Sequence, residues 1–464
     1  MKIATPEAYQ LLHEGAEALA QVEENGIRVD TRYMKKAMRE SKQKIEGMEE
    51  TLKQDKLWKE WKRCYGRKSQ LGSGEQLAAV LVSLGHNLPE TAKSTVKKPR
   101  YKSDESALLS TGLEFCKAYV GLEKEKKALN TFLRGIWRET DAQGFCHPFF
   151  NLHTTKTYRS SSNDPNFQNF PIRNPEIGKL IRSAFISRPG RHLVEIDYSG
   201  IEVRIAACYH NDPVMLEYIE DTSKDMHRDM AAQCFKMKPE QVSKQARYCG
   251  KNMFVFPQFY GDYYANNAQQ MWEAIQDGDN VRLSDSSLSV KEHLAEQGIR
   301  VLGNRDSRPS PGTFLHHMQS VEKDFWTNRF AVYGKWKEKW WEKYKKEGGF
   351  LTKTGFYIEG VLGKNDVINY PVQGAAFHCL LWSLVRLQRL LKKRKMKTLI
   401  VGQIHDSIVA DVPEEELQDY LELAQYVMTV LLRKKWKWII TTLEIEAEVA
   451  PVGASWHEKK EMAI

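Results

Sequence analysis

The 464-residue sequence predicts an α+β fold, because long helical patterns and short buried strands occupy different parts of the chain. Two observations support this class. Charged stretches with apolar residues at helical spacing fill residues 1–145 and return at 211–349, whereas brief apolar runs bounded by turn residues lie at 145–199 and 398–412. No internal repeat is visible.

The N-terminal helical part contains two heptad-like stretches, at residues 34–58 and 105–138, that flank a basic segment at 90–103. Long antiparallel helices joined by such a loop predict a projecting arm.

Three strands are predicted in the remainder of the chain. Residues 192–197 form one apolar strand, and residues 398–404 and 407–412 form two that meet at His405-Asp406. Proline and three glutamates then open a helix at Pro413. The polar stretch 278–311, rich in Ser, Asp, Gly and Pro, predicts an exposed insertion.

Composition narrows the class of protein. No run of eighteen apolar residues and no signal-peptide pattern occur, so we expect a soluble cytoplasmic protein without membrane contact. Seven scattered cysteines without a CxxC pair argue against a disulfide framework and a structural zinc. Lys plus Arg number 69 against 60 for Asp plus Glu, and some basic clusters, such as 433–437, include an aromatic residue. These clusters suit a polyanion, although each alone also fits a solvated helix end.

Two carboxylates are candidates for chemistry. Asp197 ends an apolar strand and Asp406 lies at the apex of an apolar hairpin, positions that are costly for a charge unless water or a cation satisfies it. If the two meet, hard oxygen ligands favour Mg²⁺, and two such ions suit phosphoryl displacement. The alternative is two unrelated aspartates in turns.

A second group lies between them. Arg247 and Lys251 are four residues apart on one helical face, and His227 precedes them. They supply cationic or donor groups, although a solvated basic stripe is the ordinary interpretation. Phe256 and Tyr260 nearby also fit a plain hydrophobic core.

Three segments resemble, in order, the three signatures of family A DNA polymerases, the class of bacterial DNA polymerase I. They are Asp197-Tyr-Ser-Gly-Ile-Glu202-Val-Arg204, the run from Arg247-Tyr-Cys-Gly-Lys251 to Tyr260-Gly261, and Gln403-Ile-His405-Asp406. Further matches lie at residues 22–30, 157–162, 164–174, 369–374 and 452–456. The resemblance thus covers essentially the whole chain.

The resemblance implies a right-hand polymerase fold. Its thumb would span residues 31–145 after a leading segment 1–30, its palm 146–210 and 350–464, and its fingers 211–349. The implied activity is template-directed addition of dNMP to a primer 3′-end with release of pyrophosphate. Asp197 and Asp406 would hold two Mg²⁺ ions, for which Mn²⁺ could substitute. One ion would lower the pKa of the primer hydroxyl and the other would hold the triphosphate.

The resemblance also implies roles for other residues. Arg247, Lys251 and His227 would bind the dNTP triphosphate and neutralise its charge, with Lys251 as the candidate proton donor to pyrophosphate. Phe256 and Tyr260 would border the incoming nucleotide, and Glu202 would fill the space that a ribose 2′-hydroxyl needs. The implied contacts to primer-template DNA are Arg159, Arg173, Asn369, Gln373 and His405.

The chain departs from the family pattern at three places. Phe256 and Tyr260 match only if one extra residue follows Lys251, and we predict a helical bulge or kink between Lys251 and Pro257 that absorbs it. Ser407 replaces the usual glutamate and is similar to single-subunit phage RNA polymerases, which leaves such an enzyme as an alternative. Gly200 replaces the usual glutamine.

The polymerase match begins within the first thirty residues, so no exonuclease domain is expected in this chain. A phage-type enzyme with a separate exonuclease or processivity factor is the corresponding expectation. An inactive DNA-binding scaffold of the same fold is a further alternative, against which both aspartates, Arg247 and Lys251 argue.

Overall fold

The computed structural model describes residues 5–95, 99–171, 174–276, 281–284 and 286–464, and Arg173 lies outside this part of the chain. Helices dominate it. The α-helices are α1 (Pro6–Asn25), α2 (Thr31–Gln54), α3 (Lys56–Tyr65), α4 (Gly74–Ser83), α5 (Glu105–Leu109), α6 (Glu114–Lys127), α7 (Arg134–Arg138), α8 (Pro175–Arg182), α9 (Ile201–His210), α10 (Pro213–Glu220), α11 (Met226–Cys234), α12 (Lys244–Cys249), α13 (Phe256–Phe259), α14 (Tyr264–Ala274), α15 (Val290–Glu296), α16 (Phe314–Asp324), α17 (Ala331–Glu347), α18 (Lys364–Lys393), α19 (Leu417–Gln425) and α20 (Leu432–Lys435).

The strands are short, and five of them form the central sheet. In chain order they are β1 (Ile27–Val29), β2 (Phe145–Cys146), β3 (Phe149–Asn151), β4 (Ser161–Asn163), β5 (Phe185–Ile186), β6 (Arg191–Tyr198), β7 (Gly349–Leu351), β8 (Tyr357–Glu359), β9 (Leu399–Ile404), β10 (Ser407–Pro413), β11 (Ile445–Val449) and β12 (Lys460–Met462). The central sheet has the order β12-β11-β6-β10-β9, and every pair in it is antiparallel. The predicted α+β class and the predicted β9–β10 hairpin are confirmed.

Both faces of the central sheet are buried at β10, which explains why this strand is apolar along most of its length. Val194 and Ile196 of β6 join a core with α1, α18 and α19, while Leu193 of β6 faces the other way, toward a core with the N-terminal helices. Gly15 of α1 lets this helix approach α18 closely, since a Cβ there would lie 2.7 Å from the side chain of Leu381. The neighbouring strands β6 and β10 are therefore packed between two hydrophobic cores.

A third core lies at residues 207–333, between the two parts of the chain that build the sheet. The prediction of an exposed insertion at 278–311 is wrong for α15 and its surroundings, whereas most of residues 300–311 are exposed. Val290 and Leu294 of α15 are fully buried in this core, because α15 has an apolar face that the polar composition of its surroundings obscures. Ser289 and Glu292 form a capping box that begins the helix.

Within the described ranges, no helix is both long and apolar enough to cross a lipid bilayer.

Candidate active site

Strand pairing brings Asp197 and Asp406 together. Asp197 lies opposite Ser407 in the β6–β10 register, and the Tyr198 amide donates a hydrogen bond to the Asp406 carbonyl at 3.4 Å. A two-residue turn at His405-Asp406 joins β9 to β10, with His405 in the left-handed region at φ 52°. The two aspartates are 209 positions apart in the chain, and they therefore lie at the same end of the neighbouring strands β6 and β10.

Both carboxyl groups lie in an environment that disfavours a bare negative charge. Burial, followed by the charges of Asp406 and Glu195, raises the pKa of Asp197 well above its usual range. Burial and the charge of Glu202 raise the pKa of Asp406, although Arg159 opposes the shift. The Oδ1 atom of Asp197 is buried and has no hydrogen-bond partner among the described residues. A cation would satisfy this oxygen and offset the repulsion.

Few side chains near the two aspartates could serve as further metal ligands. Glu446 of β11 lies opposite Asp197 in register on the other side of β6. Even so, no group of three or more His, Cys, Asp or Glu side chains placed to hold a metal ion occurs in the described part of the chain. Any ion held by Asp197 and Asp406 would therefore take its further ligands from backbone carbonyls, water or substrate.

Ser407 and Glu195 form a structural contact behind the aspartates. The buried Ser407 hydroxyl bonds to Glu195 Oε1 at 3.1 Å and to the Ile404 carbonyl at 3.0 Å. Although burial opposes it, Lys459 lowers the pKa of Glu195, and Trp456 donates to Glu195 Oε2 at 2.8 Å. The serine thus supports the sheet, so it gives no functional signal of its own.

Glu202 is held by two donors at the mouth of a cavity of about 220 Å³, here termed the Glu202 pocket. Arg159 Nη1 donates to Glu202 Oε1 at 2.9 Å, and the Tyr260 hydroxyl donates to Oε2 at 2.5 Å. Gly200 begins α9 at φ +61°, a conformation that glutamine would adopt only with strain. The pocket is lined by Gly200, Ile201, Glu202, Val203, Ala206, Met215, Phe256, Phe259, Tyr260, Tyr333, Asn369, Val372, Gln373 and Asp406.

The segment after Lys251 contains the predicted irregularity. A π-helical turn spans Gly250–Val255 and leads directly into α13, whose second residue is Pro257. The wide turn accommodates one extra residue, so Val255 is buried in the core while Phe256 and Tyr260 line the Glu202 pocket. Phe259 also reaches the pocket wall from the core side. The predicted bulge is confirmed.

Arg247, Lys251 and His227 lie on neighbouring elements. The Lys251 ammonium lies 5.3 Å from the centre of the Phe256 ring, and the His227 ring meets the same ring edge to face at 5.5 Å. Burial, and then the charges of Lys251 and Arg247, lower the pKa of His227 to about 4. His227 is therefore neutral at pH 7 and offers hydrogen bonding rather than the charge that the sequence led us to expect.

Arg247 has a partner that the sequence analysis missed. Its Nε donates to Asp225 Oδ2 at 2.6 Å, and Asp225 also caps α11 by accepting from the Arg228 amide at 3.0 Å. The signal for the cap was present, because Asp225 directly precedes the first residue of α11. The pairing with Arg247 is a tertiary contact and has no local signal.

The remaining predicted residues surround the same pocket. Asn369 Nδ2 donates to the Tyr260 carbonyl at 3.0 Å, and Gln373 lines the pocket one turn further along α18. His405 is exposed at the hairpin apex, and its carbonyl accepts from Gln403 at 2.7 Å. Asn365, which was not predicted, donates to the Gly261 carbonyl at 3.0 Å. The structure therefore brings together every predicted site residue that it describes.

Comparison with solved structures identifies the architecture. The structure described as "POL domain of Pol1 from M. smegmatis complex with DNA primer-template and dNTP" is similar with a TM-score of 0.73 at 23% identity, over 96% of this chain and 70% of that one. The fold is therefore the right-hand polymerase fold.

Comparison of sequences identifies the family. The model described as "DNA polymerase family A" matches residues 35–279 and 360–458, and the chain belongs to this family. It is similar to the DNA polymerase I of Chloroflexus aurantiacus, with 26% identity over 97% of this chain and 43% of the relative. It is also similar to the DNA polymerase of Bacillus phage SP01, with 25% identity over 78% of this chain and 37% of the relative. The chain spans less than half the length of these two relatives.

Proposed function

We propose that this chain is a template-directed DNA polymerase that adds dNMP to a primer 3′-end and releases pyrophosphate. The observation that carries the proposal is the pair Asp197, near the end of β6, and Asp406, in the adjoining β9–β10 turn, where Asp406 lines a pocket together with Glu202 and Tyr260. Family membership and a structural neighbour described with primer-template and dNTP support it.

The residues present fit a divalent metal. Mg²⁺ is commonly held by one or two carboxylates together with substrate phosphates and water, which suits two half-buried aspartates without a third protein ligand. Asp197 and Asp406 would hold two ions, and Mn²⁺ prefers the same oxygen ligands. When bound, the ions stabilise charge on the attacking and departing oxygens.

The cationic groups of α12 and the π-helical turn would bind the triphosphate. Arg247 would exchange its contact with Asp225 for phosphate oxygens, and Lys251 would neutralise charge and donate a proton to the departing pyrophosphate. His227, neutral at pH 7, would donate a hydrogen bond. Most of the rate enhancement would come from this positioning of charge.

The Glu202 pocket would hold the nucleotide being added. Phe256 and Tyr260 would contact its sugar and base, and Glu202 would exclude a 2′-hydroxyl. Asn369, Gln373, Arg159 and His405 would contact the primer-template end. Acceptors in the minor groove are shared by all base pairs, so such contacts check geometry without reading sequence.

On this proposal residues 31–145 are the thumb, 146–210 and 350–464 the palm, and 211–349 the fingers. DNA affinity is expected to fall steeply with salt, because Lys and Arg displace condensed counterions. A separate exonuclease or processivity factor is a candidate partner.

Membership of DNA polymerase family A favours a DNA polymerase over the RNA polymerase alternative. That alternative rested on Ser407, whose hydroxyl contacts Glu195 and the Ile404 carbonyl behind the aspartates, and these contacts do not distinguish the two classes of enzyme. We therefore do not adopt it.

The test is extension of a DNA primer with Mg²⁺ and dNTPs by the parent chain and by Asp406→Ala. We expect the variant to lose about 10³-fold in rate, since charge stabilisation by bound metal supplies several kcal/mol. Asp419→Ala removes an exposed carboxylate from α19 and is the matched control. Equal rates for the parent and Asp406→Ala would refute the assignment, and DNA binding without extension by the parent would favour the scaffold alternative.

A further inference from the structure

A second cleft lies beyond the Glu202 pocket. Its volume is about 590 Å³, and it is here termed the Lys337 cleft. The backbone at Tyr260-Gly261 separates the two, with Phe256 and Tyr260 facing the pocket and Gln258 and Gly261 facing the cleft. More than half of the residues lining the cleft belong to residues 280–359, which the family model does not match. Most of this cleft is therefore built by residues outside the part of the chain that the family model matches.

Lys337 of α17 lines the cleft and forms no ion pair with any residue that the structure describes. Its ammonium lies over the Trp326 ring, 3.6 Å from the centre. Glu338 and Glu322, the carboxylates that favour its charge, are engaged elsewhere, since Glu338 pairs with Lys364 at 2.7 Å and Glu322 accepts from Gln258 at 2.9 Å. Burial, and then the charge of Lys364, lower the pKa of Lys337 to about 8. The cleft thus presents a partly dehydrated cation that an anion would stabilise.

The walls of the cleft are tied to the site described above. The Trp326 indole donates to Gln258 Oε1 at 2.7 Å, and Gln258 Nε2 donates to Asn267 at 2.7 Å. Gln258 is nearly fully buried within α13, the helix that carries Phe256. On the other wall, Asn365 donates to the Gly261 carbonyl. The position of Lys337 is therefore fixed relative to the Glu202 pocket.

We propose that Lys337 binds a phosphodiester of the unpaired template strand just ahead of the Glu202 pocket. The inference rests on the proposed function, in which the primer ends at the aspartates and only the template continues beyond the inserted nucleotide. Asp262, Glu322 and Glu338 also line the cleft, but each accepts a hydrogen bond from another side chain. A backbone phosphate would give Lys337 an anion of its own, and a hydrogen bond to a dehydrated ammonium is strong. The contact reads no base, so it guides the template without sequence preference.

The test compares binding of two primer-template DNAs, with one and with eight unpaired template nucleotides, by the parent and by Lys337→Met. Methionine keeps the length of the stem and removes the charge. We expect the parent to bind the longer overhang about tenfold more tightly and Lys337→Met to lose most of that gain. Lys337→Arg should keep it. Lys339→Met, which removes an exposed charge from the same helix outside the cleft, is the matched control and should also keep it.

Two outcomes would overturn the inference. One is an equal overhang gain in the parent and in Lys337→Met, and the other is an equal loss in Lys337→Met and Lys339→Met, which would indicate a diffuse charge effect. Primer extension over the one-nucleotide overhang separates this inference from the proposed function. If Lys337→Met extends that primer like the parent, only the template contact is in question, whereas absence of extension by the parent would count against the proposed function itself.

Discussion

Glu202 gives the sharpest prediction about substrate choice. Its side chain is 23% exposed, and Arg159 and Tyr260 each hold one carboxylate oxygen. The carboxylate cannot swing aside without breaking one of these contacts, so a 2′-hydroxyl placed in its space would be overpacked. Glu202→Ala removes the obstacle, whereas Glu202→Gln keeps its volume and removes its charge.

The size of the effect follows from the cost of overpacking. Forcing extra atoms into a packed site costs about 1–3 kcal/mol, which corresponds to about 5- to 150-fold in rate. We expect Glu202→Ala to raise the use of rNTP relative to dNTP by that factor, and Glu202→Gln to change it by less than about threefold. The lost ion pair is partly exposed, so Glu202→Gln should lose at most about 1 kcal/mol of stability.

The assay is insertion of one nucleotide opposite a template guanine, with dCTP or CTP over a range of concentrations. Tyr260→Phe leaves the Arg159 contact intact and should raise CTP use only slightly. An unchanged ratio in Glu202→Ala would refute the steric argument. If Glu202→Gln became as permissive as Glu202→Ala, the charge of the side chain would matter rather than its size.

Three predictions concern stability, each measured by thermal unfolding. Gly250→Ala should cost about 1–3 kcal/mol of stability, because its Cβ would lie 2.8 Å from the backbone of α11. Gly47→Ala, on the open face of α2, should be neutral or stabilising by up to about 1 kcal/mol. Equal effects of the two substitutions would contradict the packing argument. His378 is fully buried, and burial lowers its pKa from 6.5 to about 3. Between pH 6.5 and about pH 3 only the unfolded chain protonates this imidazole, so the free energy of unfolding decreases as pH falls below 6.5. His378→Phe should reduce the loss between pH 7 and pH 5 by about 2 kcal/mol, and identical pH profiles would exclude this role. Asp411→Ala should cost about 3–5 kcal/mol, since it strands the Arg188 guanidinium now paired at 2.7 Å, and a cost below about 1 kcal/mol would show that water replaces the carboxylate.

Two parts of the site, the β9–β10 hairpin and the irregular turn after Lys251, were predicted from the sequence. The apolar runs on both sides of His405-Asp406 predicted a hairpin, and the mismatch of one residue after Lys251 with the family signature predicted the irregular turn. The meeting of Asp197 and Asp406 followed only from resemblance, because the register of β6 on β10 depends on how the whole sheet packs.

Contacts between distant side chains could not be predicted in the same way. The pairing of Arg247 with Asp225 and that of Glu202 with Arg159 join segments whose sequences show only charge. The burial of α15 was also missed, because two apolar residues in a polar stretch are too few to establish a helical period. Resemblance likewise suggested a charged His227, whereas its depressed pKa depends on neighbours that only the fold supplies.

The π-helical turn at Gly250–Val255 has a consequence for anyone aligning this chain with its relatives. One additional residue in a helix rotates everything after it by about 100°. An ungapped alignment would equate Val255 with an aromatic group that faces substrate, and a variant designed on that basis would alter the hydrophobic interior instead. Beyond this turn, the number of a residue no longer indicates which face of the helix it occupies. Substitutions after the turn should therefore be chosen by the direction in which the side chain faces.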